Sequence, residues 1–173
     1  GSRIVIVGGG IAGLSAAEAA RNAAPDAHIT LINKEPDFPY YRINLTRYLA
    51  GEANDFSLLI HEPKWYEERQ IEVVTGAEVI ELIPAKKTVV LRSGREIVYD
   101  RLILAQGAHV NLPPFPGLRR EGVFAIRSFH DAHIVLNALR AHPRCVCIGG
   151  GLLGLETAGA IARNGGRVPI LEN

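Results

Sequence analysis

Two glycine-rich turns, 141 positions apart, constrain this chain more than any other feature of it. The first is Gly8-Gly9-Gly10-Ile11-Ala12-Gly13 and the second is Gly149-Gly150-Gly151-Leu152-Leu153-Gly154. Each has the G-x-G-x-x-G spacing, follows a short apolar run and opens an Ala- and Leu-rich stretch without a breaker. The pattern predicts a strand over 3–7, a helix over 11–23 and a strand over 28–32. In the repeat it predicts a strand over 144–148, a helix over 152–163 and a strand over 167–171. Strand–helix–strand at this length forces parallel pairing and a right-handed crossover. In such a turn the first glycine permits the tight bend, the middle one lets a pyrophosphate approach the backbone, and the third lets the helix pack close to the strand. The amides opening the helix, Ile11 and Ala12 in the first copy, hold phosphate charge with the helix dipole behind them. Candidate contacts are therefore Gly8, Gly10, Ile11, Ala12 and Gly13, and in the second copy Gly149, Gly151 and Gly154. Glu172 stands 18 positions after Gly154, at the end of the next strand. A carboxylate there accepts hydrogen bonds from the hydroxyls of an adenosine ribose and repels a 2′-phosphate, so it favours NADH over NADPH. One such loop is weak evidence, because glycine turns also serve structure alone. Two copies in full strand–helix context point to two nucleotide sites.

The segment between the copies reads differently. Residues 36–63 form a loop with short helices, with Asp55 as an N-cap and Pro63 as a first helical residue. Short strands follow over 71–74, 77–82, 87–91 and 97–104, with Ser93-Gly94 as a hairpin turn. This is an antiparallel meander after a βαβ unit. Pro113, Pro114 and Pro116 make a stiff connector. A strand near 123–126 and a helix over 131–140 lead to the second glycine loop, whose helix ends at Asn164-Gly165-Gly166. The fold class is α/β: a Rossmann-like domain with a central parallel sheet and an antiparallel β-meander over 1–112, then the first βαβ unit of a second Rossmann-like domain over 113–173.

The net charge of +1 gives no reason to expect a nucleic acid or an anionic membrane as partner. No apolar run is long enough to span a bilayer. The start lacks the features of a signal peptide, and Gly1-Ser2 reads as a cloning remnant. Two cysteines, Cys145 and Cys147, argue against a disulfide-stapled secreted fold, so the expected location is the cytoplasm. They lie two apart on one predicted strand and are read as core. The six histidines lack ligand clustering, so no metal site is expected.

Four further stretches carry a resemblance to the two-dinucleotide-binding-domain flavoproteins, the FAD-dependent pyridine nucleotide-disulfide oxidoreductase-like family. They are residues 40–47 (YYRINLTR) with Ala50-Gly51-Glu52, residues 99–108 (YDRLILAQGA), residues 113–117 (PPFPG) and residues 149–158 (GGGLLGLETA). Within that family the chain most resembles reductases of the rubredoxin, ferredoxin and NADH-nitrite type. The resemblance implies FAD and NADH as cofactors. It implies that Gly8, Gly10 and Gly13 hold the FAD pyrophosphate, and that Arg42 and Thr46 reach toward the same cofactor. The backbone at Glu78-Val79 would border the adenine, and Ala105-Gln106-Gly107 would pass close to the flavin. Glu156 and Arg47 would pair across the flavin and tune hydride acceptance, which fits the cost of leaving a buried carboxylate alone there. Where relatives have an acid after the second strand, this chain has Asn33, so the ribose role falls to Asn33 or Glu35, with Lys34 between them. Gln106 replaces the usual Thr, and the family's later Gly-Asp motif and interface domain are absent from these 173 residues. The stretch is accordingly expected to be incomplete as a catalyst by itself.

The function implied is hydride transfer from NADH to FAD, then electron delivery to a separate acceptor. That acceptor would be a rubredoxin- or ferredoxin-like protein, or the metal centre of a larger complex. The resemblance is compatible with a homodimer of a longer protein. Disulfide reductases of the superfamily use a Cys near the flavin, and residues 36–52 contain none, with Asn44 in that neighbourhood. An oxygen-reducing NADH oxidase is a weaker reading for the same reason. The rival from another class is a non-catalytic nucleotide-binding subunit, structural or regulatory, that keeps the fold without the chemistry.

Overall fold

A computed structural model describes residues 1–172. In chain order its elements are β1 (Arg3–Val7), α1 (Ile11–Ala23), β2 (His28–Ile32), α2 (Leu45–Leu49), α3 (Asp55–Leu58), α4 (Pro63–Glu68), β3 (Ile71–Val74), β4 (Val79–Ile83), β5 (Thr88–Leu91), β6 (Glu96–Val98), β7 (Arg101–Leu104), α5 (Phe129–Ala141), β8 (Cys147–Ile148), α6 (Leu152–Arg163) and β9 (Ile170–Leu171). They fall into two compact units. One comprises Gly1–Tyr41 with Leu59–Ala108, and the other Arg42–Leu58 with the chain from His109 onward.

The first unit has three layers, and β1 explains why. It lies inside a parallel sheet of order β3-β2-β1-β7, with Val5 opposite Thr30 on one side and Leu102 on the other. Side chains alternate across a strand, so a strand buried on both faces must be apolar throughout. On one face Ile6, Ile29 and Leu31 pack with Leu14 and Ala17 of α1 and Tyr66 of α4. On the other, Val5, Val7 and Ile32 pack with Val89, Leu91 and Tyr99, against an antiparallel sheet of order β4-β5-β6. The expected parallel sheet and meander are both present, but residues 71–74, expected to open the meander, instead form β3 at the edge of the parallel sheet, with Ile71 opposite Ile29 and Val74 opposite Ile32.

Residues 97–104, expected as one strand, are two. β6 belongs to the antiparallel sheet and β7 to the parallel one. The chain turns between them at Tyr99 and Asp100, whose amides donate to Lys87 O and Arg3 O, both at 2.8 Å. The Asp100 carboxylate also takes Arg3 Nη2 at 2.8 Å, fixing this corner to the start of β1. The Arg3 guanidinium and backbone amide hold that carboxyl well below the usual range.

In the second unit, α5 begins at Phe129 rather than 131, because Ser128 and Asp131 form a reciprocal capping box. α6 ends as expected: Gly165 N donates to Ala162 O and Gly166 N to Ile161 O, the Schellman arrangement. The expected strands over 144–148 and 167–171 are regular only at β8 and β9. Cys145 N, Cys147 N and Gly149 N donate in turn to Arg167 O, Pro169 O and Leu171 O. Pro169 has no N–H to return to this ladder, so the regular pairing is interrupted there. The strand expected near 123–126 does not form among the described residues. Val123 and Phe124 are exposed, and β-propensity without a partner strand specifies little. Asp55 is not the cap of α3 either. Asn54 is, through Ser57 N to Asn54 Oδ1 at 2.9 Å, with Ser57 Oγ accepting from Asn54 N.

Tyr66 lies in the first core, 1% exposed, and its hydroxyl has no hydrogen-bond partner among the described residues. Burial, followed by the nearby Glu18 charge, pushes its phenol well above the ordinary value. An unsatisfied buried hydroxyl costs on the order of 1–3 kcal/mol. Tyr66→Phe is therefore expected to raise stability in urea by about 1 kcal/mol, and a loss of that size would show that the hydroxyl is satisfied in solution.

Candidate functional site

Both glycine loops fold the same way. Gly8 N donates to Ile32 O at 2.9 Å and Gly149 N to Leu171 O at 2.8 Å, so each turn is pinned to the strand beyond its helix. Gly8 has φ +124° and Gly149 φ +110°, a conformation that glycine adopts without strain. A Cβ on Gly13 would collide with Gly8 O, and one on Gly154 with Gly149 O. The third glycine of each motif therefore sets how close the helix comes. Gly10 and Gly151 differ from these: a Cβ on either would meet nothing within 4 Å. Each is the N-cap of its helix without a side-chain capping bond, and neither first turn holds an acid.

Open space over an uncapped helix N-terminus is what a pyrophosphate needs, because the first helical amides lack intrahelical acceptors and the dipole favours an anion. The residues of each loop thus fit a dinucleotide diphosphate such as that of FAD or a nicotinamide nucleotide.

The acid position after each second strand is where the two loops part. In the second unit the Glu172 carboxylate, through Oε2, accepts from Gly150 N. Its other oxygen remains for a ribose hydroxyl. In the first unit Asn33 is 6% exposed and packs on Gly9. Its Nδ2 donates to Asp37 O at 2.7 Å and its Oδ1 accepts from Glu35 N at 3.2 Å. Both polar ends of Asn33 are thereby committed to its own loop. Lys34 is exposed beside it, and Glu35 is half-buried with Tyr40 Oη donating to its carboxylate at 2.6 Å.

The remaining candidates divide between the units. In the first, Ala105 N donates to Val7 O at 2.7 Å, and Ala105 O lies where a Cβ on Gly8 would go. This sets Ala105-Gln106-Gly107 beside the glycine turn, with Gln106 and Gly107 exposed. Val79 opens β4, next to a register shift between Val79 and Glu81. In the second unit Arg42 donates through Nη1 to Arg127 O at 2.5 Å, and Thr46 is half-buried on α2. Arg47 on α2 and Glu156 on α6 are both exposed, and no direct ion pair joins them. Sequence reasoning missed what anchors α2 to its surroundings. Glu52 Oε1 accepts from Arg163 Nε at 3.0 Å, and Asn164 Nδ2 donates to Leu49 O at 3.0 Å. The Tyr48 ring meets Phe129 edge-on, and its hydroxyl lies 3.2 Å from His133 Nδ1. Burial and a hydrogen bond to Asp55 push that phenol up to about 12. These contacts link residues 48 to 164 and have no local pattern to reveal them. Among the described residues no group of His, Cys, Asp and Glu could hold a metal ion.

Known proteins match this geometry. The family model described as pyridine nucleotide-disulphide oxidoreductase matches residues 2–173. NADH-rubredoxin oxidoreductase of Clostridium acetobutylicum is 37% identical over 164 residues, covering 95% of this chain and 42% of that protein. Nitrite reductase [NAD(P)H] of Bacillus subtilis strain 168 is 36% identical over 170 residues, covering 98% of this chain and 21% of that protein. The crystal structure of the Clostridium acetobutylicum NADH:rubredoxin oxidoreductase superposes with a TM-score of 0.91 at 36% identity, over 99% of this chain and 44% of that one. The chain thus spans less than half the length of these relatives.

The two kinds of glycine separate by experiment. Gly10→Ala is expected to cost no more than about 1 kcal/mol, the ordinary difference between Gly and Ala at an N-cap, and to weaken FAD binding at least tenfold, since the methyl takes the diphosphate's place. Gly8→Ala is expected to cost more than about 3 kcal/mol, because its φ is strained for any side chain and the added Cβ would lie on Ala105 O. Thermal melts with FAD titrations check both, and a Gly10→Ala destabilised as much as Gly8→Ala would contradict the reading of open space.

Proposed function

The chain belongs to the pyridine nucleotide-disulphide oxidoreductase family, and on that premise we propose that it is the nucleotide-binding part of an NADH-dependent flavoprotein reductase. The observation that carries this reading is the pair of uncapped helix N-termini, each behind an open glycine, with the Glu172 carboxylate against the glycine turn of the second. Residues 1–112 are assigned to the FAD-binding domain and 113–173 to the start of the NADH-binding domain. FAD, when bound, would take hydride from NADH and release electrons to a separate acceptor.

The chain's own residues supply binding and orientation. Gly8, Gly10 and Gly13 with the amides of Ile11 and Ala12 hold the FAD diphosphate, and Lys34, Glu35 and Val79 border its adenosine. Asn33 shapes that rim from beneath. Ala105, Gln106 and Gly107 line the flavin side, and Arg42, Thr46, Arg47 and Glu156 keep the cofactor-contacting and tuning roles that their motifs imply. Gly149, Gly151 and Gly154 hold the NADH diphosphate. Glu172 accepts from the ribose and repels a 2′-phosphate.

With no Cys in residues 36–52 to relay them, electrons from bound FAD would pass directly to a rubredoxin- or ferredoxin-like protein or a metal centre in a larger complex. The naming of relatives as rubredoxin and nitrite reductases supports this over a non-catalytic subunit. A cytoplasmic location is supported by two free cysteines. Among the described residues no helix is long and apolar enough to cross a membrane.

The test is anaerobic addition of pyridine nucleotide to the FAD-loaded protein. NADH is expected to bleach the flavin absorbance, and NADPH to do so at least about tenfold more slowly because of Glu172. In the full-length protein, FAD binding without reduction by either would favour the non-catalytic reading.

A further inference from the structure

A cleft of about 360 Å³ opens in the first unit between the loop after β2 and the β5–β6 hairpin. That volume lies in the range of small-ligand pockets. Val74, Ala77 and Leu91 give it apolar walls, while Lys34, Glu78, Arg92 and Arg95 stand around it as charged groups, Arg95 lying 3.6 Å from the Glu72 carboxylate. Glu78 joins the other two: its Oε2 accepts from Arg92 Nε at 2.7 Å, and its Oε1 lies 3.3 Å from Lys34 Nζ. The hairpin does not depend on this link, because Arg92 N also donates to Glu78 O at 2.8 Å along the backbone. Asn33, at the position where such folds present an acid to the ribose, is closed off by its own loop. The charged groups that face the cleft next to the end of β2 are those of this rim.

We propose that Arg92 and Glu78 are positioning residues for the adenosine end of FAD, an inference that rests on the cofactor reading above. Adenine has apolar faces and a polar edge, which suits apolar walls below a charged rim. A guanidinium or ammonium stacks favourably on an aromatic face, and here two cations are held by one carboxylate. Both cations are long, mostly exposed side chains, with 75% exposure for Lys34 and 68% for Arg92. Without Glu78 they are free to turn into solvent. Without Arg92 the Glu78 carboxylate keeps only Lys34 of its two ion-pair partners, and its charge at the cleft is less well offset. Hydrogen bonds from Arg92 and Lys34 hold the Glu78 carboxyl below the usual range, so the chain of charges persists through neutral pH.

The test measures FAD affinity by flavin fluorescence in the whole protein after cofactor removal, with 5′-ADP as a competitor that carries the adenosine end alone. Arg92→Gln is expected to weaken FAD about three- to tenfold and to raise the ADP inhibition constant by the same factor. The melting temperature of the apoprotein should not change. Glu78→Gln is expected to act in the same direction, and Arg92→Lys to restore part of the loss, since Lys can still pair with Glu78. A merely structural role would move the melting temperature and give no rescue pattern. Equal FAD and ADP affinities in wild type and Arg92→Gln overturn this inference alone. Failure of the wild-type protein to take up FAD overturns the cofactor reading and this inference with it.

Discussion

In both halves of this chain a helix begins so close to the preceding strand that its third motif glycine touches the carbonyl of the first. A Cβ on Gly13 or Gly154 cannot be accommodated there, and the whole arrangement follows from that contact. The helix must start immediately after the turn, with its axis running back along the sheet. Its first amides then face open space over Gly10 and Gly151, where no side chain caps them. Such groups are left wanting an acceptor, and the dipole makes an anion the best one. The chemistry of the protein begins from a packing requirement between backbones.

The layers of the first unit extend the same logic. Because β1 is buried on both faces, one face is covered by α1 and the other by the meander. The meander in turn brings Glu78 and Arg92 around the loop that follows β2. The two copies of the βαβ unit differ most plainly in chemistry at the position after the second strand. Glu172 keeps a carboxylate against its glycine turn, as a ribose site requires, whereas Asn33 folds into its own loop and leaves recognition to its neighbours. On the proposed reading, one motif would thus serve two nucleotides of different kind.

Much of this was legible in the sequence, because the features that set it are local. The β-branched runs, the glycine spacing and the cap at 164–166 gave both helices of the repeat their bounds. The errors came where tertiary context decides. Strand 97–104 looked continuous, but the Arg3–Asp100 pair divides it between two sheets. Val123 to Ile126 had strand composition and no partner. The single missing N–H of Pro169 thinned a ladder that side-chain pattern alone would have lengthened. In the site, the glycines and Glu172 announced themselves by spacing. The commitment of Asn33, the Glu78–Arg92 link and the Glu52–Arg163 pair did not, since each joins residues whose proximity only folding creates.

On the proposed function the two glycine loops are separate sites for two different nucleotides. Equilibrium binding of FAD and of NAD+, which cannot reduce the flavin, to one sample of the protein tests this. One equivalent of each is expected per chain, with neither displacing the other. Saturation at a single shared equivalent, with FAD and NAD+ in mutual competition, would mean that the loops are not two separate sites.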